Sequence, residues 1–171
     1  ATTTYRYTTY GLPILITHPD GTKSRTIYDD LGRVIYSEEN GIVTTTTYDD
    51  CNRRTTTTFP ATGECEISEY DAHGNLIAQT DRAGHTTHIT YDDLGRIKTR
   101  TTPSGLTTTW SYQSDTHICT LPSGETTTTR YAAGAPIETA TYTPDGQLLT
   151  HTTTTRDPYT GTITTTHGDA T

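Results

Sequence analysis

The sequence contains no methionine, one phenylalanine (Phe59) and one tryptophan (Trp110). Leu, Ile, Val and Phe together supply 24 of its 171 residues. With a formal net charge of −8 as well, a chain this poor in large apolar side chains lacks the material for an ordinary globular core. No apolar run approaches the ~18 residues that a membrane-spanning helix needs, so membrane insertion by this segment is not expected. The acidic balance argues against nucleic acid as a partner. Cys51, Cys65 and Cys119 form an odd set without a Cys-x-x-Cys pair, which disfavours a disulfide scaffold and a zinc site. A Cys51–Cys65 bridge is sterically possible, but unpaired thiols are the expectation. The first residue is Ala1, with no basic, apolar and small-residue signal segment behind it. The expectation is therefore a piece of a longer protein, or a processed one.

Threonine is abundant at 47 of 171 residues, and there are 12 tyrosines. Order in such a chain has to come from a repeat that stacks neighbour on neighbour. One is present. It opens on Tyr7-Thr8-Thr9-Tyr10-Gly11 and continues with Tyr28-Asp29-Asp30-Leu31-Gly32-Arg33 and Tyr48-Asp49-Asp50-Cys51-Asn52-Arg53. Next come Tyr70-Asp71-Ala72-His73-Gly74-Asn75 and Tyr91-Asp92-Asp93-Leu94-Gly95-Arg96, then the degenerate Tyr112-Gln113-Ser114-Asp115-Thr116 and Tyr131-Ala132-Ala133-Gly134. The tyrosines lie 21, 20, 22, 21, 21 and 19 residues apart.

A second turn signal falls midway through each unit. It reads Pro19-Asp20-Gly21, Asn40-Gly41, Thr62-Gly63, Ala83-Gly84, Pro103-Ser104-Gly105, Pro122-Ser123-Gly124 and Pro144-Asp145-Gly146. Proline presets φ, and glycine accepts the positive φ that other residues resist. After each motif tyrosine, the Asp side chain can bond backbone two residues on while the following Gly or Asn takes the left-handed position. Asn52 is expected there in the third unit. Two turns per unit leave room for two short strands. Residues 33–37, 75–80 and 96–101 should run out of the motif turn. Residues 42–48, 86–91, 106–112 and 125–131 should run back to the next tyrosine. All are rich in Thr, Ile, Val and Tyr, which suit a pleated surface.

The expected fold is therefore all-β, an antiparallel up-and-down array of hairpins of ~21 residues each, forming a curved sheet. Motif tyrosines should form a ladder, since equivalent strands lie about 9.5 Å apart and neighbouring rings can sandwich a residue between them. Two apolar columns, at Pro13, Val34, Leu76, Ile97 and Ile118 and at Ile14, Ile35, Ile77, Cys119 and Ile137, are expected to pack on the sheet itself or on neighbouring segments. His85 and His88 are three apart, so on a strand they face opposite ways and cannot share a metal. The Asp29-Asp30, Asp49-Asp50 and Asp92-Asp93 pairs recur at one repeat position, which points to turn chemistry and away from catalysis or calcium. Ser104 and Ser123 lack a Gly-x-Ser-x-Gly setting. No enzymatic activity, cofactor or metal site is expected.

Tyr28-Asp29-x-x-Gly32-Arg33, the same pattern at Tyr91, Asp92, Gly95 and Arg96, and the midway glycine resemble the YD repeat of RHS proteins. Tyr48, Asp49, Tyr70, Asp71, Gly74, Tyr112 and Tyr131 extend the likeness over residues 5–150. The similar proteins are bacterial Rhs toxins, the B and C components of Tc toxin complexes, wall-associated proteins and teneurins. The resemblance implies a β-sheet that spirals into a hollow shell, enclosing a C-terminal effector in the toxins. On that reading residues 1–171 are a single stretch of shell wall, with 151–171 a degenerate repeat or tail and no effector domain. The implied partners are the rest of the shell, an enclosed effector polypeptide and other toxin-complex or secretion-system subunits, in a secreted setting. The unbroken threonine runs at 44–47, 55–58, 126–129 and 152–155 depart from the family pattern. Asp157-Pro158-Tyr159-Thr160-Gly161 only partly resembles the family's shell-closing motif and reads as a turn. The alternatives are a cell-surface adhesion or carbohydrate-contact module and, more weakly, a Thr-rich ice-binding surface.

Overall fold

The computed structural model describes residues 2–156 and 162–169, so the expected turn at 157–161 lies outside the described residues. Two compact units divide the chain, Ala1–Thr87 and His88–Thr171. The first holds β1 (Thr4–Tyr7), β2 (Pro13–Thr17), β3 (Lys23–Tyr28), β4 (Val34–Glu39), β5 (Ile42–Asp49), β6 (Arg54–Phe59), β7 (Glu64–Tyr70) and β8 (Leu76–Thr80). In the second are most of β9 (Thr86–Tyr91), then β10 (Ile97–Thr101), β11 (Thr107–Gln113), β12 (Thr116–Thr120), β13 (Thr126–Ala132), β14 (Ala135–Tyr142), β15 (Leu148–Arg156) and β16 (Ile163–Asp169). Strand order is chain order in both, and the pairings within each unit are antiparallel between consecutive strands. The fold is the all-β, up-and-down hairpin array expected from the repeat. Strand ends fall within one or two residues of the expected positions.

One five-residue turn recurs. Its first residue donates its N–H to the fifth residue's carbonyl, and the fourth residue, a glycine, donates back to the first residue's carbonyl. Asp29 and Arg33 close it at 2.9 Å with Gly32 at 3.0 Å, and Thr102 and Leu106 at 2.9 Å with Gly105 at 2.9 Å. Gly32 sits at φ 78°, in the region where a Cβ meets the backbone. The third unit departs from expectation. There the left-handed residue is Arg53 (φ 51°), not Asn52. Asn52 instead folds its amide onto Asp49, Nδ2 to Oδ2 at 2.7 Å, which satisfies that carboxylate without a glycine and moves the turn one residue on. Tighter two-residue turns close β4–β5 at Asn40-Gly41 (φ 51° and 80°) and β13–β14 at Ala133-Gly134 (φ 49° and 78°), both positive as hairpin twist requires.

The apolar columns behave differently from expectation. Among the described residues of each unit, strands contact only their chain neighbours, so within a unit neither column packs the sheet against itself. Ile118 and Cys119 pair with Ser111 and Trp110 without a shift; elsewhere the first residue of the pair faces a tyrosine, as Val34 does Tyr28 and Leu76 does Tyr70. The next residue is the extra residue of a β-bulge. Ile14, Ile35, Ile77, Lys98, Ile137 and Leu149 are all skipped by the register in this way. A bulge consumes one residue without a partner and twists the strand more strongly.

Among the described residues only Ala78 and Ala140 are buried, at 6% and 5% exposure. Cohesion is lateral, carried by the backbone ladder and by cross-strand pairs. Hydroxyls of Thr80 and Thr86, Thr90 and Thr99, and Thr101 and Thr107 meet at 2.9, 2.7 and 2.9 Å. Each such pair contributes roughly 0.2–1 kcal/mol. The thiols of Cys51, Cys65 and Cys119 are free. No helix long and apolar enough to cross a membrane occurs among the described residues.

Candidate functional site

The recurrent site is the junction between one hairpin and the next, and the bulge creates the need for it. In β2, β4 and β10 the first residue pairs with the preceding strand, but the ladder to the following strand begins two residues later, at Leu15, Tyr36 and Thr99. The carbonyls of Pro13, Val34 and Ile97 are left outside that ladder, and a carbonyl withdrawn from water needs a donor. The next motif tyrosine supplies it. Tyr28 Oη donates to Pro13 O at 3.0 Å, Tyr48 Oη to Val34 O at 2.9 Å and Tyr112 Oη to Ile97 O at 2.8 Å. Each acceptor lies six residues after the preceding motif tyrosine.

In three units the residue five after a motif tyrosine covers the next ring. Arg33 lies 4.2 Å from the Tyr48 ring centroid, and Arg96 lies 4.2 Å from that of Tyr112. Both guanidinium groups are aimed by their own motif aspartate. Arg33 Nε meets Asp29 Oδ2 at 2.7 Å, and its Nη1 reaches Asp50 Oδ1 of the next unit at 2.6 Å. Arg96 Nη2 meets Asp92 Oδ2 at 2.7 Å. In the sixth unit His117 takes the arginine's place, with its ring 4.9 Å from Tyr112 and 4.5 Å from Tyr131. The expected sandwich of a residue between successive tyrosines is thus formed at His117. Tyr70 is held differently. Its N–H donates to Arg53 O at 2.9 Å, and Arg53 Nε donates to Tyr70 O at 3.3 Å. Tyr91 ends β9 opposite Ile97.

The aspartates' other oxygen organises the turn. Asp29 Oδ1 accepts from the N–H of Leu31 and Arg33 at 2.9 and 2.8 Å. Asp92 does the same for Leu94 and Arg96 at 3.0 and 2.9 Å, and Asp71 for His73 and Asn75 at 2.8 and 2.9 Å. These bonds favour the ionised carboxylate. The Arg33 N–H, then its side chain, holds the Asp29 carboxyl below the ordinary 3.8. The Arg96 side chain does most for Asp92, and the Asn75 side chain for Asp71. Asp50 and Asp29 in turn raise Arg33 above its usual value. Leu31 and Leu94 stand on the turn tips, 74% and 76% exposed, and belong to no core.

Sequence reasoning marked Arg33 and Arg96 as motif residues without their role as ring covers. It missed Asp81, which repeats the motif-turn device at a midway turn, taking the N–H of Ala83 and His85 at 2.9 Å each. It also missed Thr102 and Thr143, whose hydroxyls take the N–H of Leu106 and Gln147 at 3.2 and 2.9 Å. The signal was available as Asp or Thr three residues before a turn glycine.

Residues 70–107 match the family model described as RHS Repeat. That stretch runs from motif Tyr70 through Tyr91 to the midway turn at Gly105, so the chain carries an RHS/YD repeat there. No curated protein matches the sequence. Similar solved structures include three crystal structures. TcdB2-TccC3-TEV is 15% identical with a TM-score of 0.37, covering 94% of this chain and 12% of that one. TcdB2-TccC3 without its hypervariable C-terminal region is 16% identical at 0.43, covering 94% and 11%. TcdB2-TccC3-Cdc42 is 15% identical at 0.39, covering 99% and 12%. This chain thus spans 11–12% of the length of the chains it resembles.

Proposed function

We propose that this chain is a segment of the wall of a secreted toxin shell, built from RHS repeats, which encloses an effector polypeptide until delivery. The observation that carries this reading is the junction. At two junctions hairpin is fixed to hairpin by tyrosine, arginine and aspartate at the same repeat offset, and among the described residues only two alanines are buried. Such a construction extends by addition of like units and makes a partition. Its Thr-rich strands offer a non-native chain few apolar docking sites. On this reading the segment catalyses nothing, and its partners are the rest of the shell, the cargo and other toxin-complex subunits.

The carbohydrate-contact alternative needs its tyrosines free to meet a ligand, whereas Tyr28, Tyr48 and Tyr112 are engaged at junctions. An ice-binding face needs a flat regular array, and bulges interrupt the strands.

Protease protection tests the proposal. The full polypeptide carrying this segment is digested natively, and cleavage of the region downstream is followed. At least ten-fold slower cleavage than in the same polypeptide after denaturation of the shell is expected. Equal rates would refute enclosure, and specific glycan binding lost in a Trp110→Ala variant would favour the adhesion module.

A further inference from the structure

We infer that the junction between the sixth and seventh hairpins is a pH-sensitive clamp, closed by protonation of His117. The inference stands on the geometry of this one junction and does not depend on the shell reading.

His117 occupies the position, five residues after a motif tyrosine, that Arg33 and Arg96 hold in their units. It therefore performs the arginine's task with a histidine, the residue type whose ordinary charge change falls nearest neutral pH. It sits on β12 directly opposite Tyr112 of β11 and Thr129 of β13. Its ring stands nearly perpendicular to that of Tyr112, at 83°, and at a 45° tilt to that of Tyr131. No bulge displaces it, because β11 and β12 pair without a shift. A neutral imidazole in this place is one aromatic ring among three. An imidazolium is a cation between two electron-rich rings, and cation–aromatic attraction is added to the same contacts.

The surrounding charges decide whether that attraction prevails. From the β11 side, Arg96 also contacts Tyr112, but it is paired with Asp92 at 2.7 Å. From β13 come Tyr131 and Arg130, and Arg130 is paired with Glu138 at 2.7 Å. Cys119 lies two residues along β12, a thiol that burial pushes further toward its neutral form. Asp115, in the turn before β12, takes the Thr116 hydroxyl on its carboxylate at 3.0 Å, and its carbonyl accepts the Tyr131 N–H at 2.8 Å. Both nearby cations thus have carboxylate partners of their own. The clamp tightens when His117 gains a proton and loosens when it gives the proton up.

Hydrogen exchange on the whole protein between pH 5.5 and 8, expressed as protection relative to intrinsic rates, tests this. Protection of the β12–β13 amides should rise about two- to five-fold at the acidic end, the size of one exposed cation–aromatic contact. The β3–β4 amides serve as the internal reference. His117→Phe keeps the three-ring stack and should remove the pH dependence, while His117→Arg should hold protection high at both ends. Equal pH dependence in wild type and His117→Phe, or protection that falls on acidification, overturns the proposal. A proton NMR titration of the unaltered protein needs no variant. Tyr112 and Tyr131 ring resonances must move with the midpoint of His117 itself, and stationary rings overturn the proposal equally.

Discussion

Tyr48 combines two contacts in one side chain. Its ring is roofed by Arg33, and its hydroxyl reaches a carbonyl that the bulge at Ile35 has withdrawn from the ladder. Tyr48→Phe keeps the ring and the cation over it and deletes only the donor. Val34 O is then left to whatever water can reach it. An unmet acceptor costs about 1–3 kcal/mol when buried and less where solvent enters. Urea denaturation should therefore register a loss of about 0.5–1.5 kcal/mol. An unchanged midpoint would mean that the hydroxyl's bond adds nothing beyond what water provides. The tyrosines were easy to find in the sequence because their spacing is regular. Their acceptors were not, because a backbone carbonyl carries no residue signature. The need for a donor arises only from a bulge, which the sequence does not mark, since Ile97-Lys98 carries one and Ile118-Cys119 does not.

At the level of the element, turns carry the titratable chemistry. Asp29, Asp71, Asp81 and Asp92 are all held below the ordinary carboxylate value of 3.8 by bonds to turn N–H groups or the fifth residue's side chain. The folded state therefore binds fewer protons than the unfolded chain near that value. Stability from these turns is fully present above pH ~4–5 and is lost as pH falls through the depressed folded values. Thermal melts should show no contribution from them between pH 5 and 8, and a declining midpoint below pH 4. Asp81→Asn, where the amide keeps one acceptor oxygen, should flatten part of that decline. Strands and turn glycines were legible because period, β-propensity and positive-φ demand agree at each position. The slip at Asn52 and Arg53 was not, since Asn tolerates the left-handed region as readily as it bonds a neighbouring aspartate. Only the competition between those two uses placed Arg53 at positive φ.

For each unit as a whole, the decisive fact is how little apolar surface leaves water. With Ala78 and Ala140 the buried side chains among the described residues, unfolding exposes mainly polar and half-hydrated groups. The heat-capacity change of unfolding scales with newly exposed apolar area. Calorimetry should give a value per residue clearly below the roughly 12–15 cal/mol/K of globular domains. A value within that range would require a hidden apolar layer. Composition foretold this, because 24 large aliphatic and phenyl side chains in 171 residues cannot line an interior. Threonine's role was less plain in advance. Its hydroxyls bond one another across strands, as Thr127 and Thr141 do at 3.2 Å, so polarity and cohesion come from the same residue.

The tyrosine bonds also have a direction in time. In every case the donor is 14 or 15 residues downstream of its acceptor, and the covering arginine is upstream of the ring it roofs. A chain emerging amino end first meets each acceptor and its cover already in place, and the arriving tyrosine completes the fastening. No later stretch is needed, so the fabric can set rung by rung behind the point of emergence, like knitting coming off a needle.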